Sequence, residues 1–178
     1  EVAYIGGIAK IRGIGQVVKA MTFTKDVRLN LAGKFSEQDI EKMTKSCSGW
    51  EKVDELGFLS RQEVADVLER SKIGLVTFLP SPNHIDSQPN KMFEYMSASI
   101  PIITSNFPLW REIVEGNECG LCVDPLNPKA IGEAIQYLID NSTQAERMGE
   151  NGRKAVEDKY NWPVEEKKLL DLYKELKQ

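Results

Sequence analysis

Six short apolar runs, separated by stretches with helical character, constrain the fold of this 178-residue chain more than any other feature. The runs cover residues 2–6, 27–32, 53–56, 73–78, 100–104 and 120–123. The fourth is unbroken, which suits a strand covered on both faces. The segments between predict helices over 14–21, 37–47, 60–70 and 108–115, with a further one opening shortly after Gln88. Ser60, with Glu63 three residues on, has the pattern of a capping box. Three helices, over about 128–140, 144–160 and 163–177, close the chain. Strands alternating with helices of this length build βαβ units, so the reading is α/β: a Rossmann-like three-layer sandwich on a parallel sheet of about six strands. A chain of this length holds one domain with a full core, here residues 1–178, with the last helices, about 144–178, packing at its edge.

In sheets of this kind ligands bind beyond the carboxyl ends of the strands, near the point where strand order reverses. After the first run come Gly6 and Gly7, which let backbone approach a ligand closely, and Arg12, whose guanidinium can fork onto phosphate oxygens. After the third come Gly57, Phe58 and Leu59, apolar enough to sandwich a nucleobase. After the fourth, a loop over 80–89 carries Asp86 and the chain's one histidine, His84, expected to be exposed. The next helix sets Lys91 and Glu94 three positions apart, on one face. A helix N-terminus attracts phosphate through free N–H groups and its dipole; Lys91 adds charge there, and Glu94 is an acceptor suited to ribose hydroxyls. Base, ribose and diphosphate subsites at neighbouring strand ends predict a nucleoside diphosphate site. The plainer alternatives are solvated loop cations for Arg12 and Lys91, and a Lys91–Glu94 ion pair for the helix. Tyr95 and Met96 are expected to pack the helix, and Trp110 and Trp162 to anchor core or interface.

The 23 basic and 27 acidic residues leave a net charge of −4 and a pI of about 5.2, which argues against nucleic acid as a partner. No run of apolar residues is long enough for a membrane span, and no basic, Met-initiated leader opens the chain, which reads as a segment of a longer protein. Three cysteines do not make a disulfide framework, so a cytoplasmic setting is the default. Cys119 and Cys122 spell C-x-x-C, but no second ligand pair accompanies them and they enter a strand, so neither metal nor redox chemistry is expected. Gly13-Ile-Gly-Gln-Val-Val18 falls short of G-x-G-x-x-G at its last position, and the second run ends in Gly33-Lys34 without an acid for an adenosine ribose. Asn141-Ser-Thr143 fits a glycosylation sequon, but a helix N-cap with Glu146 behind it explains it better.

The stretches YIGG, IRGI, LAGKFS, LGFLSRQEVADVLERSKIGLV, PNKMFEYMSASIPIITSNFPLWREIVEGNECGLCVDP and AVEDKYNW, in this order, resemble the C-terminal half of a group 1 (family 4) glycosyltransferase. The most specific element is the P-x-K-x-x-E-Y helix followed by an apolar strand. The resemblance implies a GT-B enzyme, retaining and metal-independent, in which this half binds the nucleotide-sugar donor and an N-terminal domain binds most of the acceptor. It assigns Arg12, before Gly13, to the diphosphate, and puts Gly7 where many members carry an arginine. Glu94 matches the ribose-binding acid of an E-x7-E pattern, and Asp86 stands where the first Glu contacts the donor sugar. Backbone N–H groups at Asn90 and Lys91 are to meet the diphosphate, with Lys91 and Arg12 stabilising the leaving group.

The resulting expectation is the donor-binding half of a retaining hexosyltransferase that uses a UDP-sugar or GDP-sugar as substrate, without a cofactor. Its acceptor is a glycan or a lipid-linked sugar, as in surface polysaccharide synthesis. Its own N-terminal domain is a partner, and the full-length protein sits in the cytoplasm or peripherally at the inner face of the membrane. The alternatives are a GT-B nucleotide-sugar epimerase and a noncatalytic α/β interaction module.

Overall fold

A computed structural model describes residues 1–176 and shows six parallel strands in the order β3-β2-β1-β4-β5-β6. The strands are β1 (Val2–Ile5), β2 (Leu29–Ala32), β3 (Val53–Gly57), β4 (Ile73–Val76), β5 (Ile102–Ser105) and β6 (Gly120–Val123). Each lies within a residue or two of its apolar run. The first helices are α1 (Ile14–Ala20), α2 (Gln38–Lys45) and α3 (Arg61–Arg70). They are followed by α4 (Pro82–Ile85), α5 (Asn90–Ser97), α6 (Pro108–Val114), α7 (Pro128–Asp140), α8 (Ser142–Asp158) and α9 (Trp162–Glu175). The predicted end of the last helix, Lys177, lies outside the described residues.

Alternate side chains of each strand divide the core between two faces. Val2, Tyr4, Leu29, Leu31, Ile73 and Leu75 pack under α1 and α7. Ala3, Val76 and Ile102 pack under α3, α5 and α6, where Trp110 is fully buried. Side chains of this size contribute about 1.5–3 kcal/mol each when fully buried. Helix α8 packs on α5, burying Ala145, Met148, Gly149, Gly152 and Ala155. The hydroxyl of Tyr95, on α5, accepts the Ile5 N–H at 2.9 Å and fixes that helix against the end of β1.

The chain leaves β1 for β2 and β3 on one side, then crosses to β4 on the other. The carboxyl ends of β1 and β4 therefore flank the switch point, where neighbouring loops diverge and leave a crevice. Among the described residues, no helix is long and apolar enough to cross a membrane.

Candidate functional site

The loop after β1 makes a single tight helical turn, Lys10–Arg12, and enters α1 through Gly13 at φ 75°. Only a residue without Cβ fits there, because a side chain at Gly13 would collide with the Thr77 carbonyl just beyond β4. The Leu79 N–H donates to Ile11 O at 2.9 Å, so the loops after β1 and β4 move as one. Ser105, at the end of β5, donates its hydroxyl to Phe78 O at 2.6 Å. The Trp110 indole donates to Ser87 O at 2.6 Å and pins the loop that leads into α5.

These constraints aim two cations at one point. Where a Cβ on Gly6 would sit, Lys91 Nζ lies 3.6 Å away and Arg12 Nη1 3.9 Å away. Lys91 is only 7% exposed and its ammonium has no hydrogen-bond partner. The nearest compensation is aromatic: the Tyr4 ring at 3.8 Å and the Phe78 ring at 5.3 Å from Nζ. Burial, and then the Arg12 charge, pull the Lys91 ammonium down to about 7, with Glu94 acting the other way. Arg12 is half-buried, shares Phe78 at 5.6 Å, and donates to Gly7 O at 3.3 Å. Neither cation belongs to any ion pair among the described residues. The Lys91–Glu94 pair that the helical spacing allows is not made, and the exposed Glu94 carboxylate accepts no hydrogen bond from the described residues.

Two cavities open at this end of the sheet and share Asn90 and Glu94. One, of about 450 Å³, lies over the switch point and is lined by Gly6, Arg12, Lys91, Phe78, Asn83 and His84. The other, of about 680 Å³, is a groove between α3 and α5 bounded by Leu59, Val64 and Phe93. A further cavity of about 510 Å³, between Lys72, Pro101 and Ala145, opens at the opposite edge, where the strands begin. No unpaired buried charge faces it among the described residues.

Most of the residues singled out in the sequence meet in this cleft. Gly6, Arg12, Asn90, Lys91 and Glu94 line it, and Leu59 walls the groove beside it. Asn90 opens α5 after Pro89, which offers no side-chain cap; the Met92 N–H reaches Pro89 O at 3.0 Å, and the Asn90 and Lys91 N–H groups have no acceptor among the described residues. Gly7 takes part through its carbonyl, which receives both the Tyr4 hydroxyl and Arg12 at 3.3 Å. Phe58 departs from expectation: its ring is 75% exposed and faces the Lys34 ammonium at 5.1 Å, so Leu59 is the residue that walls the groove. Asp86 also departs. It ends α4 as an exposed residue and lines neither shared cavity. His84 is the converse case, expected on the surface yet 9% exposed and facing the cleft. Its only sequence signal is its place in the loop after β4. Trp110 is core, whereas Trp162 stands 66% exposed. Cys119 is buried among backbone carbonyls, its thiol pushed up to about 11, which leaves it unreactive.

Known proteins share this fold and much of this sequence pattern. The capsular polysaccharide biosynthesis glycosyltransferase CapM of Staphylococcus aureus is 25% identical over 97% of this chain and 45% of its own length. The α-D-kanosaminyltransferase of Streptomyces kanamyceticus is 23% identical over 98% of the chain and 45% of its own. The chain thus spans about half the length of the curated relatives it matches. Among solved structures, sucrose-phosphate synthase from Thermosynechococcus elongatus superposes with a TM-score of 0.82 at 23% identity, over 99% of this chain and 45% of that one. Anabaena HepE in complex with UDP gives 0.83 at 17% identity, over 98% and 48%. The same three-layer fold recurs in both. The family described as glycosyl transferases group 1 matches residues 1–155, which is most of the chain, and the protein belongs to that family.

Proposed function

We propose that this chain is the donor-binding half of a retaining glycosyltransferase, holding a nucleotide-sugar in the cleft between β1 and β4. The observation that carries the reading is the convergence of Arg12 and Lys91 over Gly6, both without a carboxylate partner. A buried, unpaired ammonium is unfavourable unless an anion completes it, and a diphosphate carries enough charge to complete two cations. The N-terminus of α5 opens on the same cavity, with Asn90 and Lys91 lining it and their N–H groups without an acceptor in the helix. Glu94, one turn along and without a protein partner, suits the two hydroxyls of a ribose, and the groove beyond it at Leu59 and Phe93 suits a base.

In this reading the bond between the anomeric carbon and the diphosphate oxygen breaks with its electron pair going to that oxygen. Arg12 and Lys91 stabilise the charge that develops there, in a site shielded from water on the Phe78 side. The sugar passes to a glycan or lipid-linked acceptor held largely by a second domain. Several family relatives work on polysaccharide or mannosyl transfer, which supports a role in surface polysaccharide synthesis.

Calorimetry with UDP and GDP tests the reading. Wild type binds one of the two, and Lys91→Ala and Glu94→Ala each weaken it, by about tenfold or more for the charged contact. Binding of neither nucleotide would favour an interaction module. Wild-type affinity in Glu94→Ala would remove the ribose assignment. The isolated chain is expected to bind without appreciable turnover; robust transfer by it would sink the half-enzyme reading.

A further inference from the structure

The cleft has a polar end that neither the base, the ribose nor the diphosphate occupies. From the groove at Leu59 and Phe93, the order runs through Glu94 to Lys91 and Arg12, and then to Asn83 and His84. Phe78 sets the spacing of the last step: its ring centroid lies 5.3 Å from Lys91 Nζ, 5.6 Å from Arg12 Cζ and 4.8 Å from the His84 ring. Both cations and the imidazole thus pack around one ring and line one cavity, so a group attached to a phosphate at Lys91 shares that cavity with His84.

His84 is built to present one atom. The residue is buried, its ring tilted against Phe78, and Nδ1 lies 3.0 Å from Leu79 O. A carbonyl oxygen can only accept, so Nδ1 carries the proton and donates. The backbone around the ring is tied down as well: Ser87 donates its hydroxyl to His84 O at 2.9 Å, and Ser87 O is held by Trp110. Nε2 has no partner among the described residues, and it is not one of the sealed, unpartnered atoms. Its open side is the cavity that His84 lines. In a neutral imidazole with Nδ1 protonated, Nε2 is an acceptor, which suits a hydroxyl and does not suit a phosphate oxygen.

We propose that His84 reads the transferred sugar, its Nε2 accepting a hydrogen bond from a hydroxyl of the hexosyl group. This makes His84, and not Asp86, the sugar-specifying residue of the loop before α5. The inference rests on the nucleotide-sugar reading above, and the test keeps the two apart.

The probes are UDP and GDP alone against UDP-glucose, UDP-N-acetylglucosamine and GDP-mannose, at pH 8. The readout is the affinity ratio between a nucleotide-sugar and its bare nucleotide. An asparagine amide can replace Nδ1–H toward Leu79 O but has nothing at the Nε2 position, whereas glutamine reaches the Nε2 position and loses Leu79. His84→Asn is expected to lower the ratio about threefold to tenfold, with bare nucleotide affinity within about twofold of wild type. His84→Gln is expected to keep most of the ratio. The reverse pattern, with asparagine silent and glutamine damaging, would make His84 a purely structural residue. Equal loss of both affinities in His84→Asn would make it a phosphate contact; either result overturns the proposal. Because the chain has one histidine, an imidazole ¹⁵N label gives a single reporter in unaltered protein. Nucleotide-sugar is expected to move the Nε2 resonance while bare nucleotide leaves it in place, and an equal shift from both overturns the proposal even where a variant fails to fold. If wild type binds no bare nucleotide, the underlying reading falls and takes this one with it.

Discussion

At the scale of single residues, Lys91 links stability, ligand and pH. Its ammonium sits near 7 in the fold against an ordinary lysine value of 10.5, chiefly because it is buried. Between those two values the unfolded chain carries a proton that the folded chain has released, so this residue makes stability rise as pH climbs from 7 to 10.5. Below pH 7 the folded protein bears the full penalty of a buried, unpaired charge. Lys91→Met keeps an unbranched side chain as far as Cε and removes the charge, so it is expected to be more stable than wild type at pH 6, by roughly 1–3 kcal/mol in urea unfolding. The two variants should converge near pH 10. Ligand reverses the balance, since an anionic diphosphate favours the charged form. Binding at pH 8 is therefore expected to draw in up to one proton, seen as a buffer-dependent enthalpy in calorimetry, and the uptake should vanish near pH 6. A pH-independent enthalpy would mean that Lys91 does not meet the phosphate. A residue that weakens the empty fold and strengthens the loaded one is the usual signature of a site shaped by function.

At the scale of elements, the entry to α1 and its interior make a controlled pair. Gly13 holds φ 75° and leaves no room for a Cβ beside Thr77 O, whereas Gly15 sits inside the helix with only Met43 Cε, at 3.9 Å, near its missing Cβ. Gly13→Ala is expected to cost roughly 1–3 kcal/mol and to weaken nucleotide binding by displacing Arg12. Gly15→Ala is expected to stabilise by about 0.5–1 kcal/mol without touching affinity, and paired thermal melts read both. Elements specified by neighbours in the chain were legible in the sequence. Ser60 Oγ accepts the Glu63 N–H at 3.3 Å while the Glu63 carboxylate accepts the Ser60 N–H at 2.7 Å, as the spacing of the two residues implies. Asn141 was not legible in the same way. The pattern Asn141-Ser-Thr143 with Glu146 behind it calls for an N-cap before a helix from 144, but α8 already begins at Ser142 without a side-chain cap, and the Asn141 side chain donates to Tyr137 O at 2.8 Å and serves the end of α7, because no other residue separates the two helices. The four-residue α4 and the burial of His84 depend on Phe78 and on Trp110, which holds the loop from 23 residues away through Ser87. No local pattern encodes a tether of that length, so the sequence pointed to Asp86 in this loop, two positions from the His84 that lines the cavity.

At the scale of the molecule, the sheet order makes the site. One crossover from β3 to β4 brings loops that lie far apart in the chain to a common crevice, and strand-end reasoning alone reaches Gly6, Arg12, Lys91 and Glu94 among its lining residues. The sequence places both of the last helices, about 144–178, at the edge of the one domain, and the structure separates the two. Helix α8 buries one face against α5 and belongs to it. Helix α9 does not: none of its described residues is buried, and Leu169, Leu170, Leu172 and Tyr173 are 45–57% exposed. Its attachment is the Asn161 side chain, which accepts the Val164 N–H at 3.1 Å and donates to Val156 O and Glu157 O at the end of α8. A chain ending at Asn161 keeps the two bonds to α8 and loses only α9. It is therefore expected to melt within about 3 °C of the longer chain, since 1 kcal/mol shifts a domain of this size by roughly 2–4 °C. Nucleotide affinity should be unchanged, because α9 contributes nothing to either cavity of the cleft. A fall of more than about 8 °C would require α9 to carry several kcal/mol of packing, which its exposed leucines do not supply in this arrangement.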